Sequence, residues 1–504
     1  MRFNVLIGGE AGQGPNILAH TLGRALVRRG LYVFYSRDYE SVIRGGHNFN
    51  VLTFSNEKVY SNDSKIDVLV ALNEESIGMH KKNLKENAII ISGKGQNMYF
   101  AGKLFKIFGI GFDFLDDELK VLEKRYEENL KEARKGYDDI ETKFELGYSK
   151  SVLSKDTRFF RNGSMGVAEG AINAGLDIYY AYPMTPATLV MGELAEVQLE
   201  YKHIVVELEN ELAVANAGIG SAITGAKTMI GTSGGGFDLM SEALSLTGIA
   251  GVPLVFYLAQ RPGPATGVAT YQAQGDLNIA RHSGHGEFPR VVVAPGDAKE
   301  AEELTTEAFY FSQIFGIPSI ILGDKHIAES FYTTEGKPNL TISEKLTSFG
   351  RYNSYEKDEI GSATQNPEIV NKNVQDRRRR AREIVEEAKK FEQYKVHGNA
   401  ESNNVIIGWG STKGAILDSI ECEGIDAKFI QILYVDPFPS EDLWRELIGK
   451  NLILVENNST CQLGQLLKEK TGFNVPLKNR ILRYDGRPFL RDELEIEIKK
   501  RLRK

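Results

Sequence analysis

The sequence predicts an α/β protein with three domains, each built on a parallel sheet. Short apolar segments suited to buried strands alternate with helical patterns along most of the chain, and this βαβ rhythm is typical of parallel sheets with right-handed crossovers. The chain has 504 residues. At roughly 100–200 residues per domain, that length corresponds to about three domains. The 50 glycines indicate many tight turns and close backbone approaches.

We assign the first domain to residues 1–150. An apolar strand at 3–7 leads into a glycine-rich turn at 8–14 and then into a helix with apolar periodicity from 16 to 29. From Gly9 the glycines follow the order G-x-x-G-x-G. The dinucleotide-binding order is G-x-G-x-x-G, so the turn does not predict a nicotinamide site. Further strands are predicted at 31–35, 67–72 and 88–92, before a charged helical segment at 119–144.

The second domain is assigned to residues 151–334, where helices rich in alanine and glycine separate short apolar strands. The third domain is assigned to 403–504. Residues 335–402 between them are polar and predict a linker, in which the basic run at 377–380 is soon followed by carboxylates. That pattern indicates a solvated helix rather than a nucleic-acid site. Strands are predicted at 178–180, 204–206, 228–230, 254–257, 291–293 and 320–322, and then at 404–407, 428–432 and 452–455.

Composition excludes several classes of protein. The only cysteines are Cys422 and Cys461, which rules out a disulfide framework and a self-contained iron–sulfur cluster, since such a cluster usually needs four thiolates. The net charge of −7 gives no electrostatic case for binding nucleic acid. We see no signal-peptide pattern and no stretch of about 18 apolar residues that would span a membrane. We therefore expect a soluble, cytoplasmic protein.

Two segments that follow predicted strands carry candidate functional groups. In Y-P-M-T-P at 182–186, two prolines bracket Thr185 and fix its backbone, which presents one hydroxyl in a rigid turn, although an ordinary strand-to-helix turn has the same pattern. In the segment 205–211, the carboxylates Glu207, Glu209 and Glu211 precede a helix of small residues. The alternative there is that the acidic residues only favour the start of the helix.

Two later segments also follow strands. G-T-S-G-G-G-F-D-L-M at 231–240 is a glycine turn of the kind that lets a ligand approach the backbone, and it is a weak signal alone. In Q-R-P-G-P-A-T-G at 260–267, Arg261 suits bidentate recognition of a carboxylate, with a surface ion pair as the alternative. Farther on, His282 and His285 are acid–base candidates, although packing or turn roles fit them better.

Taken together, these segments resemble the α subunits of 2-oxoacid:ferredoxin oxidoreductases, whose motifs are Y-P-I-T-P, T-S-G-P-G and Q-R-x-G-P-S-T-G. The chain departs from them at Ala187 and Thr188, where two serines are usual, at Gly235, where proline is usual, and at Ala265, where serine is usual. The glycine turn at 8–14 with Arg44-Gly45-Gly46-His47 resembles the γ domain of these enzymes. The motifs G-W-G-S at 408–411, D-P-F-P at 436–439 and V-E-N-N at 455–458 resemble the transketolase-like C-terminal domain of the α subunit.

The resemblance implies that the second domain is a pyrimidine-binding domain for thiamine diphosphate. Glu211, with Glu209 as the alternative, would then hydrogen-bond the aminopyrimidine ring and stabilise the imino tautomer that deprotonates C2 of the thiazolium. Arg261 and Thr185 would hold the carboxylate of the 2-oxoacid. Pro183, Thr232 and Ser233 are further cofactor contacts implied by the same motifs.

The resemblance also implies that parts of the enzyme's active site are missing from this chain. The chain lacks G-D-G followed by N-N, the magnesium–diphosphate anchor of this cofactor class, since Asp324 in Gly323-Asp324-Lys325 lacks the second glycine. In the family, that anchor, Mg²⁺ and the [4Fe-4S] clusters belong to a separate β subunit. The implied reaction is oxidative decarboxylation of a 2-oxoacid with coenzyme A to acyl-CoA and CO2, with electrons passed to ferredoxin. The sequence does not distinguish pyruvate, 2-oxoglutarate and branched-chain acids as the substrate.

Two rival functions remain at this point. The first is a non-catalytic dinucleotide-binding or regulatory scaffold subunit, which the combination of Thr185, Glu211 and Arg261 disfavours. The second is a thiamine-dependent transferase of the transketolase type, which the γ-like N-terminal domain disfavours.

Overall fold

A computed structural model of the chain describes residues 2–41, 45–93, 95–121, 125–144, 146, 158–346 and 352–502. Arg44 of the Arg-Gly-Gly-His motif lies outside the described residues. The chain forms two compact units, each with its own core. The first comprises Met1–Arg161, Ser330–Lys337 and Leu490–Leu494, and the second comprises Asn162–Glu329, Pro338–Phe489 and Glu495–Lys504.

The secondary structure alternates between strands and helices as the βαβ rhythm predicts. The strands are β1 Arg2–Ala11, β2 Tyr32–Asp38, β3 Gly45–Ser55, β4 Ile66–Ala71, β5 Leu84–Ile91, β6 Arg158–Asn162, β7 Ile178–Ala181, β8 Ile204–Glu207, β9 Thr228–Thr232, β10 Leu254–Gln260, β11 Val291–Val293, β12 Pro318–Asp324, β13 Phe331–Glu335, β14 Tyr394–Gly398, β15 Asn404–Trp409, β16 Lys428–Ile432, β17 Tyr434–Asp436, β18 Asn451–Glu456 and β19 Arg480–Leu482. The helices are α1 Pro15–Arg28, α2 Glu74–His80, α3 Asn97–Ile107, α4 Phe112–Val121, α5 Tyr126–Asp138, α6 Gly163–Asn173, α7 Thr188–Tyr201, α8 Glu211–Ile223, α9 Gly234–Leu239, α10 Ser241–Ala250, α11 Leu277–His282, α12 Ala298–Phe315, α13 Lys325–Glu329, α14 Pro367–Ala388, α15 Thr412–Cys422, α16 Ser440–Leu447, α17 Gln462–Thr471 and α18 Arg491–Lys499.

The first unit contains a seven-stranded sheet in the order β5-β4-β1-β3-β2-β13-β6. Strands β1, β4 and β5 pair in parallel, as predicted. Strand β3, which was not predicted, pairs antiparallel with both β1 and β2. The connection from Asp38 to Gly45 is too short for a crossover helix, so β2 and β3 form an antiparallel pair and the sheet is mixed.

The second unit contains the sheet on which the candidate site is built. Its strand order is β17-β11-β12-β10-β9-β7-β8, and β7 to β12 pair in parallel. The central strand β10 is buried along its whole length, which explains its continuous apolar sequence. Because the strands are parallel, β7, β9, β10 and β12 all end at the same edge of the sheet, at Ala181, Thr232, Gln260 and Asp324.

A third sheet, in the order β14-β16-β15-β18-β19, lies in the same unit. Helices of the second unit pack this sheet against the one before it through a buried cluster of charges. Lys413 Nζ lies 2.5 Å from Asp297 Oδ2 and 2.6 Å from Glu300 Oε1, and Lys395 Nζ lies 3.0 Å from the same Glu300 oxygen. The linker region contains α14, where Arg377 pairs with Glu356, so the basic run is partly neutralised by carboxylates.

The predicted fold class, three α/β sheets with mostly parallel strands, is confirmed. The domain boundaries at 150, 334 and 402 remain a proposal, and β6 and β13 show that the chain returns to the first sheet after leaving it. Within the part of the chain that the structure describes, no helix combines the length and apolarity needed to cross a bilayer.

Candidate active site

Two of the predicted site residues meet at the carboxyl edge of the second sheet. Arg261 directly follows β10, and its Nη1 donates a hydrogen bond of 2.8 Å to the backbone carbonyl of Thr185 in the turn between β7 and α7. Both residues are partly exposed. The contact uses the carbonyl of Thr185 and does not involve the hydroxyl of Thr185 or the remaining N–H groups of Arg261.

Glu211, the first residue of α8, is buried beside them. The adjacent Asn210 caps the helix, since its Oδ1 accepts a hydrogen bond of 2.9 Å from the N–H of Ala213. Glu211 is 4% exposed, and its Oε1 is buried with no hydrogen-bond partner among the described residues. By contrast, Glu207 and Glu209 are exposed.

A buried carboxylate oxygen without a partner is costly, since leaving such a group unsatisfied costs about 1–3 kcal/mol or more. The arrangement at Glu211 therefore fits a donor supplied by a ligand. The ring nitrogen of a protonated aminopyrimidine is such a donor, so the residues present fit the pyrimidine end of thiamine diphosphate.

The three glycines at the start of α9 make room for side chains of this site. A Cβ on Gly236 would lie 2.1 Å from Thr232 Oγ1 and 2.7 Å from Glu211 Oε1. A Cβ on Gly235 would meet only the carbonyl oxygen of Ala265, at 3.8 Å. Gly235, which occupies the usual proline position, is thus the one glycine of the three with space for a side chain.

The remaining glycine of this turn, Gly234, lies against the carboxylate of Asp276. The sequence analysis did not identify Asp276 as a site residue. A Cβ on Gly234 would lie 2.5 Å from Oδ2 of Asp276, and that oxygen is buried with no partner among the described residues. Burial and, to a smaller extent, the negative charge of Asp238 raise the pKa of Asp276 to about 7, although the charge of Arg261 opposes the shift. The signal available in the sequence was an acidic residue between Gly275 and the start of α11.

The remaining predicted cofactor residues lie around the same turn. Thr232 ends β9 and is 1% exposed, and its hydroxyl lies 4.0 Å from the sulfur of Met184. The hydroxyl of Ser233 is buried without a partner in the described chain. Pro183 is exposed in the turn after β7. Burial lowers the pKa of Arg261, and the charges of Asp276 and Glu211 oppose that shift.

Residues that follow β18 hold the loop that carries Asp276. Gln274 accepts a hydrogen bond from the N–H of Asn457 and donates its own N–H to the carbonyl of the same residue. The side-chain amides of Asn458 and Gln462 donate to the carbonyls of Gln274 and Gly275, at 3.0 and 2.7 Å. The V-E-N-N motif therefore has a structural task at this edge of the second sheet.

Asp324, His282 and His285, which the sequence analysis also considered, have other neighbours. Asp324 is buried, and its Oδ2 accepts a hydrogen bond of 2.6 Å from Ser411, so it is held by the G-W-G-S motif. The Nδ1 of His285 lies 3.0 Å from Ser245, and His282 is exposed beside a separate cavity of 920 Å³. Among the described residues, no group of three or more His, Cys, Asp or Glu side chains is placed to hold a metal ion.

In the first unit, the glycine turn connects β1 to α1, and Gly12 and Gly14 have positive φ. His47 from the R-G-G-H motif lies with its Nε2 2.7 Å from Nε2 of His80. Burial lowers the pKa of both rings, to about 4 for His80.

Comparison with known proteins identifies the class to which this site belongs. A family model described as pyruvate flavodoxin/ferredoxin oxidoreductase, thiamine diphosphate-binding, matches residues 169–398. A second model, pyruvate ferredoxin/flavodoxin oxidoreductase, matches residues 4–95. The site edge of the second sheet, with Glu211, Arg261 and Thr185, falls within the first match, and the class is thus that of thiamine-diphosphate-binding oxidoreductases.

Individual relatives narrow the class to a family. The 2-oxoacid:ferredoxin oxidoreductase subunit alpha of Saccharolobus solfataricus is 30% identical, with 99% of this chain and 98% of that protein covered. The protein of the same name from a Sulfolobus species is 28% identical over 98% and 96% of the two chains. A solved 2-oxoglutarate:ferredoxin oxidoreductase from Magnetococcus marinus shares the fold, with a TM-score of 0.90, 23% identity and full coverage of both chains. This chain belongs to the family of 2-oxoacid:ferredoxin oxidoreductase α subunits.

Proposed function

We propose that this chain supplies the aminopyrimidine half of the cofactor site and the oxoacid-binding residues of a thiamine-diphosphate-dependent 2-oxoacid:ferredoxin oxidoreductase. The complete enzyme decarboxylates a 2-oxoacid with coenzyme A to acyl-CoA and CO2, and its electrons go to ferredoxin. The observation that carries the proposal is the buried, unpartnered Oε1 of Glu211 at the carboxyl edge of a parallel sheet. A regulatory scaffold would gain nothing from such a costly group.

Glu211 acts as the acid partner of the cofactor. Thiamine diphosphate, when bound, supplies the carbanion chemistry that the side chains of proteins lack. Glu211 binds the aminopyrimidine through Oε1 and holds a proton there, and its burial strengthens that hydrogen bond because no water competes for it. Thr232 and the turn at Gly236 pack against the carboxylate and fix its orientation.

Arg261 binds the carboxylate of the oxoacid, and Thr185 positions the guanidinium of Arg261. A guanidinium that is already fixed by one hydrogen bond loses less conformational freedom when it forms a bidentate pair. The salt bridges of the described residues do not include one to Arg261, so its charge is available to an anionic substrate. The location of the site at the ends of parallel strands agrees with the general position of ligands in such sheets.

The other parts of the enzyme belong to a separate β subunit in this proposal. This chain has two cysteines, Cys422 and Cys461, and lacks a G-D-G…N-N anchor. Mg²⁺, the diphosphate site and the [4Fe-4S] clusters are therefore assigned to the partner, and the complex is assigned to the cytoplasm.

Reconstitution tests the proposal. The chain purified alone should reduce neither ferredoxin nor a viologen dye with pyruvate, 2-oxoglutarate or a branched-chain 2-oxoacid. The same chain co-expressed with a β subunit should do so with at least one of these acids and coenzyme A. Robust turnover by the isolated chain would contradict the intersubunit site, and an inactive but well-formed complex would favour a scaffold.

A further inference from the structure

Asp276 lies close enough to Arg261, in the proposed oxoacid site, for the charges of the two side chains to interact. Its carboxylate lies against Gly234, on the same glycine turn that accommodates Glu211 at Gly236. Its backbone N–H donates a hydrogen bond of 2.9 Å to the side chain of Gln260, the residue before Arg261. Its Oδ2 is buried and has no hydrogen-bond partner in the described part of the chain. The proposed function gives the carboxyl group of Asp276 no role.

We propose that Asp276 is a substrate-binding residue of the oxoacid site and that Asp276 carries a proton when the anionic substrate is bound. The inference rests on the proposed function, in which Arg261 holds the substrate carboxylate. The proton resides on the carboxyl group of Asp276, so substrate binding takes one proton from solvent whenever Asp276 is ionised beforehand.

The charges around the site explain why a proton is needed. Arg261 is the cation whose charge reaches Asp276, while Asp238 of α9 adds a negative charge and Glu211 of α8 acts on Arg261. The loop that carries Asp276 is held by neutral amide groups of residues that follow β18, namely Asn457, Asn458 and Gln462. A substrate carboxylate beside an ionised Asp276 would therefore share one arginine with several carboxylates, and like charges repel strongly where water is excluded.

The protonation equilibrium agrees with this geometry. Burial, together with Asp238, raises the pKa of Asp276 to about 7, so the neutral form predominates below neutral pH. If only that form accepts the substrate, the KM for the oxoacid should be flat at low pH. It should rise about tenfold for each pH unit above the pKa of Asp276.

The test uses the assembled complex and compares the KM for the oxoacid from pH 6 to 9, in about half-unit steps, between the native chain and two variants. Asp276→Asn keeps the shape of the protonated acid, so its KM should stay near the low-pH value of the native enzyme throughout. Asp238→Asn, the matched control on the same turn, removes a charge that raises the pKa of Asp276 and should move the rise in KM to lower pH. A native KM that does not change with pH, or an equal rise in Asp276→Asn, would overturn the proposal.

A second measurement needs neither cofactor nor turnover. In the full chain alone, infrared difference spectra between pH 5 and 9 should show a protonated carboxyl band that disappears near pH 7, within about one unit. Part of that band should be missing in Asp276→Asn, whose thermal unfolding confirms folding, while Glu307, whose pKa burial also raises to about 7, contributes to the band in both proteins. A band of equal intensity in the two proteins would overturn the assignment of the proton to Asp276. Failure of the proposed function has a different signature, namely an unchanged KM in Arg261→Ala at pH 6.

Discussion

The guanidinium of Arg261 is tied to the backbone of Thr185 by a hydrogen bond of 2.8 Å between Nη1 and the carbonyl oxygen. This contact joins the segment after β10 to the turn after β7, two places that are far apart in the sequence and adjacent at the edge of the sheet. It also fixes the direction of the guanidinium before any ligand arrives. The rigid Y-P-M-T-P turn thus contributes to the site through its main chain as well as through the hydroxyl of Thr185.

The first prediction concerns Arg261. Arg261→Ala in the assembled complex should raise the KM for the oxoacid about ten- to hundredfold, because a hydrogen bond to a charged group contributes about 1.5–3 kcal/mol. Arg261→Lys should recover only part of the loss, since an ammonium cannot make the bidentate pair or keep the bond to Thr185. Steady-state kinetics at pH 6 provide the measurement, and native KM and kcat values in Arg261→Ala would remove this residue from the site.

The second prediction uses the glycine turn as its own control. Gly236→Ala should displace Glu211 and Thr232, because the new Cβ would lie within 2.7 Å of both side chains, and it should reduce turnover more than tenfold, roughly the effect of a misplaced catalytic group. Gly235→Ala places its Cβ in open space, 3.8 Å from the nearest atom, and should retain native activity. Equal activities of the two variants would show that the carboxylate does not depend on this turn.

The third prediction concerns the buried charges between the two sheets of the second unit. Lys413→Ala removes the cation that pairs with Asp297 and leaves Glu300 with Lys395 alone, and it should destabilise the unit by about 3–5 kcal/mol in urea unfolding of the isolated chain. Lys389→Ala, which removes an exposed pair with Glu386, should cost less than about 1 kcal/mol. A Lys413 variant as stable as the Lys389 variant would show that the cluster adds nothing.

The same cluster gives a fourth prediction, on pH. Burial opposes the ionisation of Glu300, yet Lys413 and Lys395 hold the pKa of Glu300 below its usual value. A carboxyl whose pKa is lowered in the folded state stabilises the fold above the pKa of the unfolded chain, and that stability is lost as the pH falls towards the folded pKa. Urea midpoints should therefore fall between about pH 5 and 3 in the native chain and fall less in Glu300→Gln. Parallel acid profiles would contradict this role of Glu300.

The sequence was a good guide to elements with a simple apolar pattern. The parallel strands β7 to β12 of the second sheet were predicted within a few residues because each is a short, nearly continuous apolar run. Strand β3 was missed because four of its six buried residues, His47, Asn50, Thr53 and Ser55, are polar. Asn50 accepts a hydrogen bond from Tyr35, and Thr53 donates one to Asn4. These polar side chains form hydrogen bonds to one another inside the sheet, so the strand lacks the apolar pattern by which buried strands are predicted.

The site was predictable only where a motif marks it. Glu211, Arg261 and Thr185 stand in segments with distinctive residues, and the fold brings these segments to one edge. Asp276 was missed because its position depends on Asn458 and Gln462, which are distant in the sequence and hold its loop by hydrogen bonds to the main chain. Because these contacts are made to main-chain carbonyls of the loop, they do not depend on the residue types of the loop and cannot be predicted from them.

The most direct test of the central claim is the rate of hydrogen exchange at C2 of thiamine diphosphate in the assembled complex, followed by NMR after acid quench. Glu211→Gln keeps the size of the side chain but cannot hold the proton that activates the cofactor, so exchange should slow by orders of magnitude while the cofactor stays bound. Glu209→Gln, an exposed neighbour, should exchange at the native rate. Native exchange in Glu211→Gln with slow exchange in Glu209→Gln would transfer the role to Glu209, and native exchange in both would contradict the claim that this chain supplies the activating acid.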